Sequence, residues 1–202
     1  STAERLARQI GRVIKAEPLA AILSNYSSGS LVTARCCVSM ESLANGSRDG
    51  KNVARRIVDL SKWAKVDPGR AVTHNKGIFN GMDSVVVATG NDWRAVEAAG
   101  HFHASQKGSY QPLSQWRMKS VNGEKVLSGK LETSVRVGTH GGGPAERVPR
   151  IVLDKIMQVS SASELTQTVA AVGLASNLAA LRALATEGIQ QGHMSLHNRR
   201  RK

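Results

Sequence analysis

Aromatic side chains are scarce in this sequence: Phe, Trp and Tyr together make up 3% of its 202 residues. Leu, Val, Ile and Ala must therefore fill any core, and few rings are left to stack nucleobases. Acidic residues are also in short supply, 15 against 28 Lys and Arg. No apolar run approaches the length of about 18 residues that a membrane span needs, and no signal-peptide pattern is visible. Only two cysteines are present, Cys36 and Cys37, and they are adjacent. Neighbouring cysteines rarely reach disulfide geometry, so a reducing compartment is the simpler reading. Their place in the alternating run VTARCCVSM suggests a strand with one thiol buried, and no catalytic role is assigned to them. The chain opens on Ser1 with an amphipathic pattern starting at once, which reads as a trimmed or excised chain.

What is present suits one domain or parts of two. Apolar residues make up 41%, too many for general disorder. The net charge is +13, and Arg199, Arg200, Arg201 and Lys202 carry four of those charges, leaving +9 elsewhere. Such a balance invites an anionic partner: nucleic acid, a membrane surface or a phosphorylated small molecule.

Apolar residues at Leu6, Ile10, Val13 and Ile14 predict a first helix from Thr2 to about Ala16, ended by Pro18. Extended runs are expected at Ala20–Leu23 and Leu31–Ser39. Val53, Ile57, Leu60 and Ala64 mark a second helix, stopped at Asp67-Pro68-Gly69. A third helix is expected from Asn75 to Ala88, where Gly77 and Gly81, four apart, allow another backbone to come close. Asp92 is a good N-cap for a helix running to about Lys107. Strands around Trp116–Val121 and Lys125–Val137 flank the turn signal Asn122-Gly123, and a short helix is expected over Pro149–Val159. Ser161 and Glu164 form a capping box before the longest helix. Leu165, Val169, Val172, Ser176, Ala180 and Leu184 share a face of it, and Gly188 is its expected stop. Rich in Ala and apolar on most sides, this helix should be buried and central.

Three constellations bear on chemistry. In Arg70 to Asp92, Lys76 and Asn80 share a helical face one turn apart. A lysine in such a polar cluster with an aspartate at hand suits polarisation of a carbonyl and stabilisation of an alkoxide. The same residues also fit an exposed salt bridge and a helix cap. His193 and His197 are four apart, but Met194 occupies the place where the metalloprotease pattern needs Glu, so no metal site is read. A histidine beside glycine at the end of a long helix instead suits a mobile general acid, or a frayed surface. The run Gly138 to Gly143 could wrap a phosphate with its amides, but it lacks the ending of a P-loop and opens no dinucleotide-binding βαβ unit.

Taken together, ILSN, THNKGIFNGMDSVVVATGNDWRAVEA, VRVGTHGGG and AAVGLASNLAALRALATEGIQQGHMSLH resemble 3-hydroxy-3-methylglutaryl-CoA (HMG-CoA) reductase, in order and across nearly the whole chain. The Asn-Lys-Gly context of Lys76 resembles the class II, largely prokaryotic branch. The resemblance implies an α+β fold: a large domain around a long central helix, with a remnant of a small nucleotide-binding domain. It implies residues 1–28 as the end of the small NAD(P)-binding domain, 29–192 as part of the large substrate-binding and catalytic domain, and 193–202 as the start of a C-terminal flap.

By the same resemblance, Lys76 polarises the thioester and then the aldehyde carbonyl, Asp92 tunes that lysine, and His193 protonates the departing CoA thiolate. Arg70, Asn80 and Asn177 hold the hydroxymethylglutaryl group, and Asn25 contacts the nicotinamide cofactor. Ser176 stands where relatives carry Gln. The implied reaction interconverts HMG-CoA with mevalonate and CoA by two hydride transfers with NAD or NADP and without a metal. The setting it implies is cytoplasmic, in a homodimer or higher oligomer with the site at the subunit interface, with no specific nucleic acid and no membrane. The family's general-acid glutamate and its Asp-Ala-Met-Gly cofactor segment have no counterpart in this sequence. An incomplete enzyme with exposed apolar surface is therefore expected. The competing readings are a CoA-binding fragment without turnover and a basic polyanion-binding module.

Overall fold

The computed structural model describes residues 2–44, 49–140, 147–186 and 188. Its elements run α1 (Thr2–Ile14), β1 (Leu31–Ser39), α2 (Met40–Leu43), α3 (Gly50–Val66), α4 (Pro68–Ala88), α5 (Trp93–Ser105), β2 (Ser114–Val121), β3 (Glu124–Ser134), α6 (Arg147–Ile151) with a π-helical turn at Val152–Met157, and α7 (Ala162–Ala185). Helices and one small antiparallel sheet make this an α+β chain.

The sheet has the order β1-β3-β2, all antiparallel. Asn122 and Gly123 both take positive φ, 50° and 83°, as the tight turn between β2 and β3 requires. Alternation sets one face of the sheet inward. Val32, Trp116, Leu127, Leu131 and Thr133 are buried there, while Arg35, Cys37, Arg117 and Glu132 point the other way. The Trp116 ring lies over Gly129, where a Cβ would collide with it. Cys36 is half-buried and Cys37 exposed, both free, and burial pushes the Cys36 thiol pKa up.

α7 is the centre. It packs against α4, α3, β1 and β3, and its capping box forms as the sequence suggests. The Ser161 hydroxyl accepts from the Glu164 N–H, and the Glu164 carboxylate accepts from the Ser161 N–H. Its most buried positions are Leu165, Val169, Ala170, Gly173, Leu174, Asn177, Leu181 and Ala185. Val172, Ser176, Ala180 and Leu184, expected on one face with Leu165 and Val169, are half-buried beside that stripe. By length and composition α7 could cross a membrane, but here α4 and the sheet cover its buried stripe. The α4 crossing is close. A Cβ on Gly81 would meet Ser176 Cβ at 2.6 Å and the Val172 carbonyl at 2.8 Å. Gly188, at φ +84°, donates its N–H to the Ala183 carbonyl and ends the helix.

Several sequence expectations shift. α4 begins at Pro68 rather than Asn75, because Asp67 both ends α3 and caps α4. Its Oδ1 accepts from the N–H groups of Gly69 and Arg70 at 2.9 and 3.2 Å, and Pro68 sits where a helix needs no donor. The Ala20–Leu23 run forms no strand; it has no neighbouring edge to pair with, and Ile22 and Leu23 are exposed. The short helix near Pro149 starts at Arg147, widens into a π turn and stops at Gln158 in the left-handed region. On α1, Leu6, Ile10, Val13 and Ile14 carry the expected apolar spacing, yet all four remain exposed.

Candidate functional site

The α4–α5 hairpin positions most of the residues singled out from the sequence. In its first turn Arg70 is half-buried, with Cζ 6.0 Å from the Trp63 ring centroid. Lys76 and Asn80 are exposed one turn apart on the same face. Among the described residues Lys76 makes no ion pair and no side-chain hydrogen bond. The exposed salt bridge and helix cap read for this cluster form at Asp92, with Arg94 and without this lysine.

Asp92 is the N-cap of α5. Its Oδ1 accepts from the N–H groups of Arg94 and Ala95 at 3.0 and 3.2 Å, and the Arg94 guanidinium lies 3.7 Å away. Within one chain it does not reach Lys76. The Asn91 N–H bonds to the Val86 carbonyl, which ties the start of α5 to a point ten residues beyond Lys76, roughly 15 Å along the α4 axis.

Behind the exposed face lies a buried polar network. Asn177, 1% exposed, receives the Trp116 indole N–H at 2.8 Å and the Ser114 hydroxyl at 2.7 Å on its Oδ1. Its Nδ2 donates to the His74 carbonyl at 3.3 Å. An indole nitrogen only donates, so the oxygen of the amide must face it. The Ser114 hydroxyl spends its one proton on that same oxygen. His74 Nε2, 2.7 Å from Ser114 Oγ, must then carry the hydrogen of the neutral ring. Burial first, and the Arg70 charge second, hold the His74 pKa down at about 4, so this ring stays neutral. Asn177 thus sits behind α4 with its acceptor fully used, apart from the face shown by Lys76 and Asn80.

Sequence reasoning missed the groups that brace this hairpin. Asn91 clasps Gly138 through both backbone groups, donating to its carbonyl at 3.1 Å and accepting its N–H at 2.8 Å. That bond brings the start of the glycine-rich run to the α4–α5 junction. Asp83 lies one turn past Asn80, and its carboxyl pKa is pushed up to about 7 by burial first and the Glu97 carboxylate second. The signal for Asn91 was in view, beside Asp92 in the Thr-Gly-Asn-Asp run. Nothing in the spacing pairs Asp83 with Glu97, because they are on different helices.

Asn25 is exposed beside α5. With Ser24, Tyr26, Ala98 and Phe102 it lines an open cavity of about 480 Å³, where the Tyr26 and Phe102 rings meet edge to face at 4.9 Å. The exposed Asn25 carboxamide thus stands next to an aromatic wall. His193 and His197, and the run from Gly141 to Gly143, lie outside the described residues.

Comparison with known proteins identifies the family. The family model for hydroxymethylglutaryl-coenzyme A reductase matches residues 1–198. The chain belongs to the HMG-CoA reductase family. The probable HMG-CoA reductase of Borreliella burgdorferi is 43% identical over 197 residues, which cover 98% of this chain and 45% of that protein. The reductase of Archaeoglobus fulgidus is 39% identical over 196 residues, 97% of this chain and 43% of that protein. Among solved structures, an HMG-CoA reductase from Streptococcus pneumoniae superposes with a TM-score of 0.79 at 43% identity, over 96% of this chain and 46% of that one. A class II reductase from the same organism, bound to NADPH in open conformations, gives 0.78. The chain therefore spans less than half the length of these HMG-CoA reductases.

Proposed function

We propose that this chain supplies the acyl-binding and catalytic portion of an HMG-CoA reductase, interconverting HMG-CoA with mevalonate and CoA. The observation that carries the reading is Lys76: an ammonium exposed on a rigid helix, with no ion-pair partner among the described residues, one turn from the Asn80 amide. Negative charge grows on the substrate oxygen in both reductions, and a fixed uncompensated cation stabilises it most as the charge develops. Asn80 and Arg70 hold the acyl group, and His193 protonates the thiolate as CoA leaves. Asn177 contributes from behind, fixing the His74 carbonyl two residues before Lys76. Bound NAD(P)H supplies the hydride, with Asn25 and the Tyr26–Phe102 wall positioning the nicotinamide.

The separation of Lys76 from Asp92 bears on assembly. The two do not meet within one chain, so Asp92 tunes Lys76 only if a second copy brings it across, as a dimer with an interfacial site would. Residues 1–28 are then the end of the small nucleotide-binding domain. Residues 29–192 belong to the large domain and 193–202 to the flap, and the general-acid glutamate comes from a portion of the enzyme outside this sequence. The free thiols fit a reducing, cytoplasmic setting.

The test follows nicotinamide absorbance with mevaldehyde and with the CoA thioester. The chain is assayed alone and complemented by the remaining portion of a relative. Activity on complementation, abolished by Lys76→Ala with the fold intact, is the expected result. Unchanged turnover in Lys76→Ala overturns the assignment, and turnover by the chain alone overturns the need for an outside glutamate.

A further inference from the structure

A second concave surface is lined by none of the residues assigned above. It is a cleft of about 460 Å³ between the end of α3, the loop after α5, and the outward face of β2 and β3. Lys65, Lys107, Arg117 and Lys130 line it, with His103 and Glu132. The alternation that buries Trp116 and Leu131 turns Arg117, Lys130 and Glu132 into the cleft. Glu132 is already engaged: its Oε2 lies 2.7 Å from Lys130 Nζ. Lys65, Lys107 and Arg117 form no ion pair among the described residues.

Three uncompensated cations from three separate parts of the fold, gathered in one concavity, repel one another and focus a positive potential. The nature of the matching ligand follows from the rest of the lining. No Phe, Tyr or Trp is among the lining residues, so a nucleobase finds little ring surface to stack on beyond the His103 imidazole. The apolar share is limited to Ala104, Pro112 and Leu113, which leaves charge and hydrogen bonding to do the recognising. A single carboxylate would neutralise one cation of the three. Linked phosphoryl groups offer several charges at once, and the planar fork of Arg117 suits their oxygens.

The wall is also held in place. Gln111 Nε2 donates to Ser109 Oγ at 2.8 Å. The Gln111 carbonyl and the Leu113 N–H are both bonded to the side chain of Asn75 at 2.9 Å. Asn75 immediately precedes Lys76, so the cleft wall is hydrogen-bonded to the same turn of α4.

We propose that this cleft binds a compact anion carrying two or more linked phosphoryl groups, at a place distinct from the acyl-CoA site. The volume is within the range of small-molecule sites, and its contact with the Asn75 turn makes it a place from which occupancy can bias α4.

The test is calorimetric titration of the 202-residue chain with inorganic pyrophosphate at fixed ionic strength. One saturable site is expected, weakened about tenfold or more in the Lys65→Gln/Arg117→Gln double variant, as loss of two charge-assisted contacts implies. Arg55→Gln/Arg56→Gln removes the same net charge from an exposed stretch of α3 and should leave binding unchanged. Matching melting temperatures across the three proteins establish that each is folded. Three results overturn the proposal: no saturation at millimolar pyrophosphate, equal weakening in both double variants, or full displacement of pyrophosphate by CoA. The first two reduce the cleft to diffuse positive charge, and the third makes it part of the substrate site. The readout is binding alone, so its outcome is separable from whether Lys76 is catalytic.

Discussion

Asn75 grips the backbone on both sides of Pro112: its Nδ2 donates to the Gln111 carbonyl and its Oδ1 accepts the Leu113 N–H, each at 2.9 Å. A fully buried amide from α4 thereby satisfies a carbonyl and an N–H that the proline prevents from joining a regular ladder. Asn75→Ala should cost about 2–4 kcal/mol, because two backbone groups lose their partners in a buried setting. Urea unfolding measures this; a loss under about 0.5 kcal/mol would mean that water replaces the amide.

Asn177 gathers the Trp116 indole, the Ser114 hydroxyl and the His74 carbonyl. Asn177→Leu keeps the volume but strands two buried donors, with an expected cost of about 2–4 kcal/mol. If the residue acts only by holding α4 in place, kcat should fall while KM for the acyl substrate changes little. A large rise in KM alone would show that the amide touches the substrate directly.

Two groups give stability opposite pH slopes. Asp83 titrates near 7 when folded and near 3.8 as a free side chain, so the folded state holds a proton the unfolded chain has released. That contribution is complete below the lower value and is lost as pH rises through the upper one. His74 is held at about 4 against a free value of 6.5; its contribution is present above 6.5 and lost as pH falls toward 4. Asp83→Asn should therefore gain on the parent protein progressively between about pH 4 and about pH 7. A stability difference that stays flat over that window would show that the fold does not raise the Asp83 carboxyl.

Gly77 and Gly81 look alike in sequence but should respond oppositely. A Cβ at Gly81 would meet Ser176 Cβ and the Val172 carbonyl under 3 Å away, whereas at Gly77 the nearest atom is Ala180 Cβ at 3.6 Å. Gly81→Ala should destabilise by about 1–3 kcal/mol through overpacking of the α4–α7 crossing. Gly77→Ala should be neutral or gain up to about 1 kcal/mol from helix propensity. Thermal melts of the two variants decide it, and a Gly81→Ala protein as stable as its parent would show that the helices part freely.

Local chemistry was legible where it is self-contained. The Asp92 cap, the Ser161–Glu164 box and the Asn122-Gly123 turn each depend on residues within a few positions of one another, and each formed. Asp67-Pro68-Gly69 read as a stop and proved to be a start as well, since a breaker ends one helix by the same geometry that caps the next. Ala20–Leu23 has strand-like residues but no edge to bond to, and extended backbone without a partner is not a strand.

The sequence by itself determined the family, most of the elements and the candidates Lys76, Asn80 and Asp92, because motif order and helical spacing are properties of the chain. Tertiary structure alone decided what each candidate faces. Lys76 has no ion-pair partner because, among the described residues, no acid comes within reach of its ammonium. Asn177 turns inward because Trp116 and Ser114 arrive from the sheet. Asp92 stays far from Lys76 because twelve more residues of helix lie between Lys76 and the end of α4. Such relations are set by the distance and orientation of elements remote in sequence, and spacing along one element does not encode them.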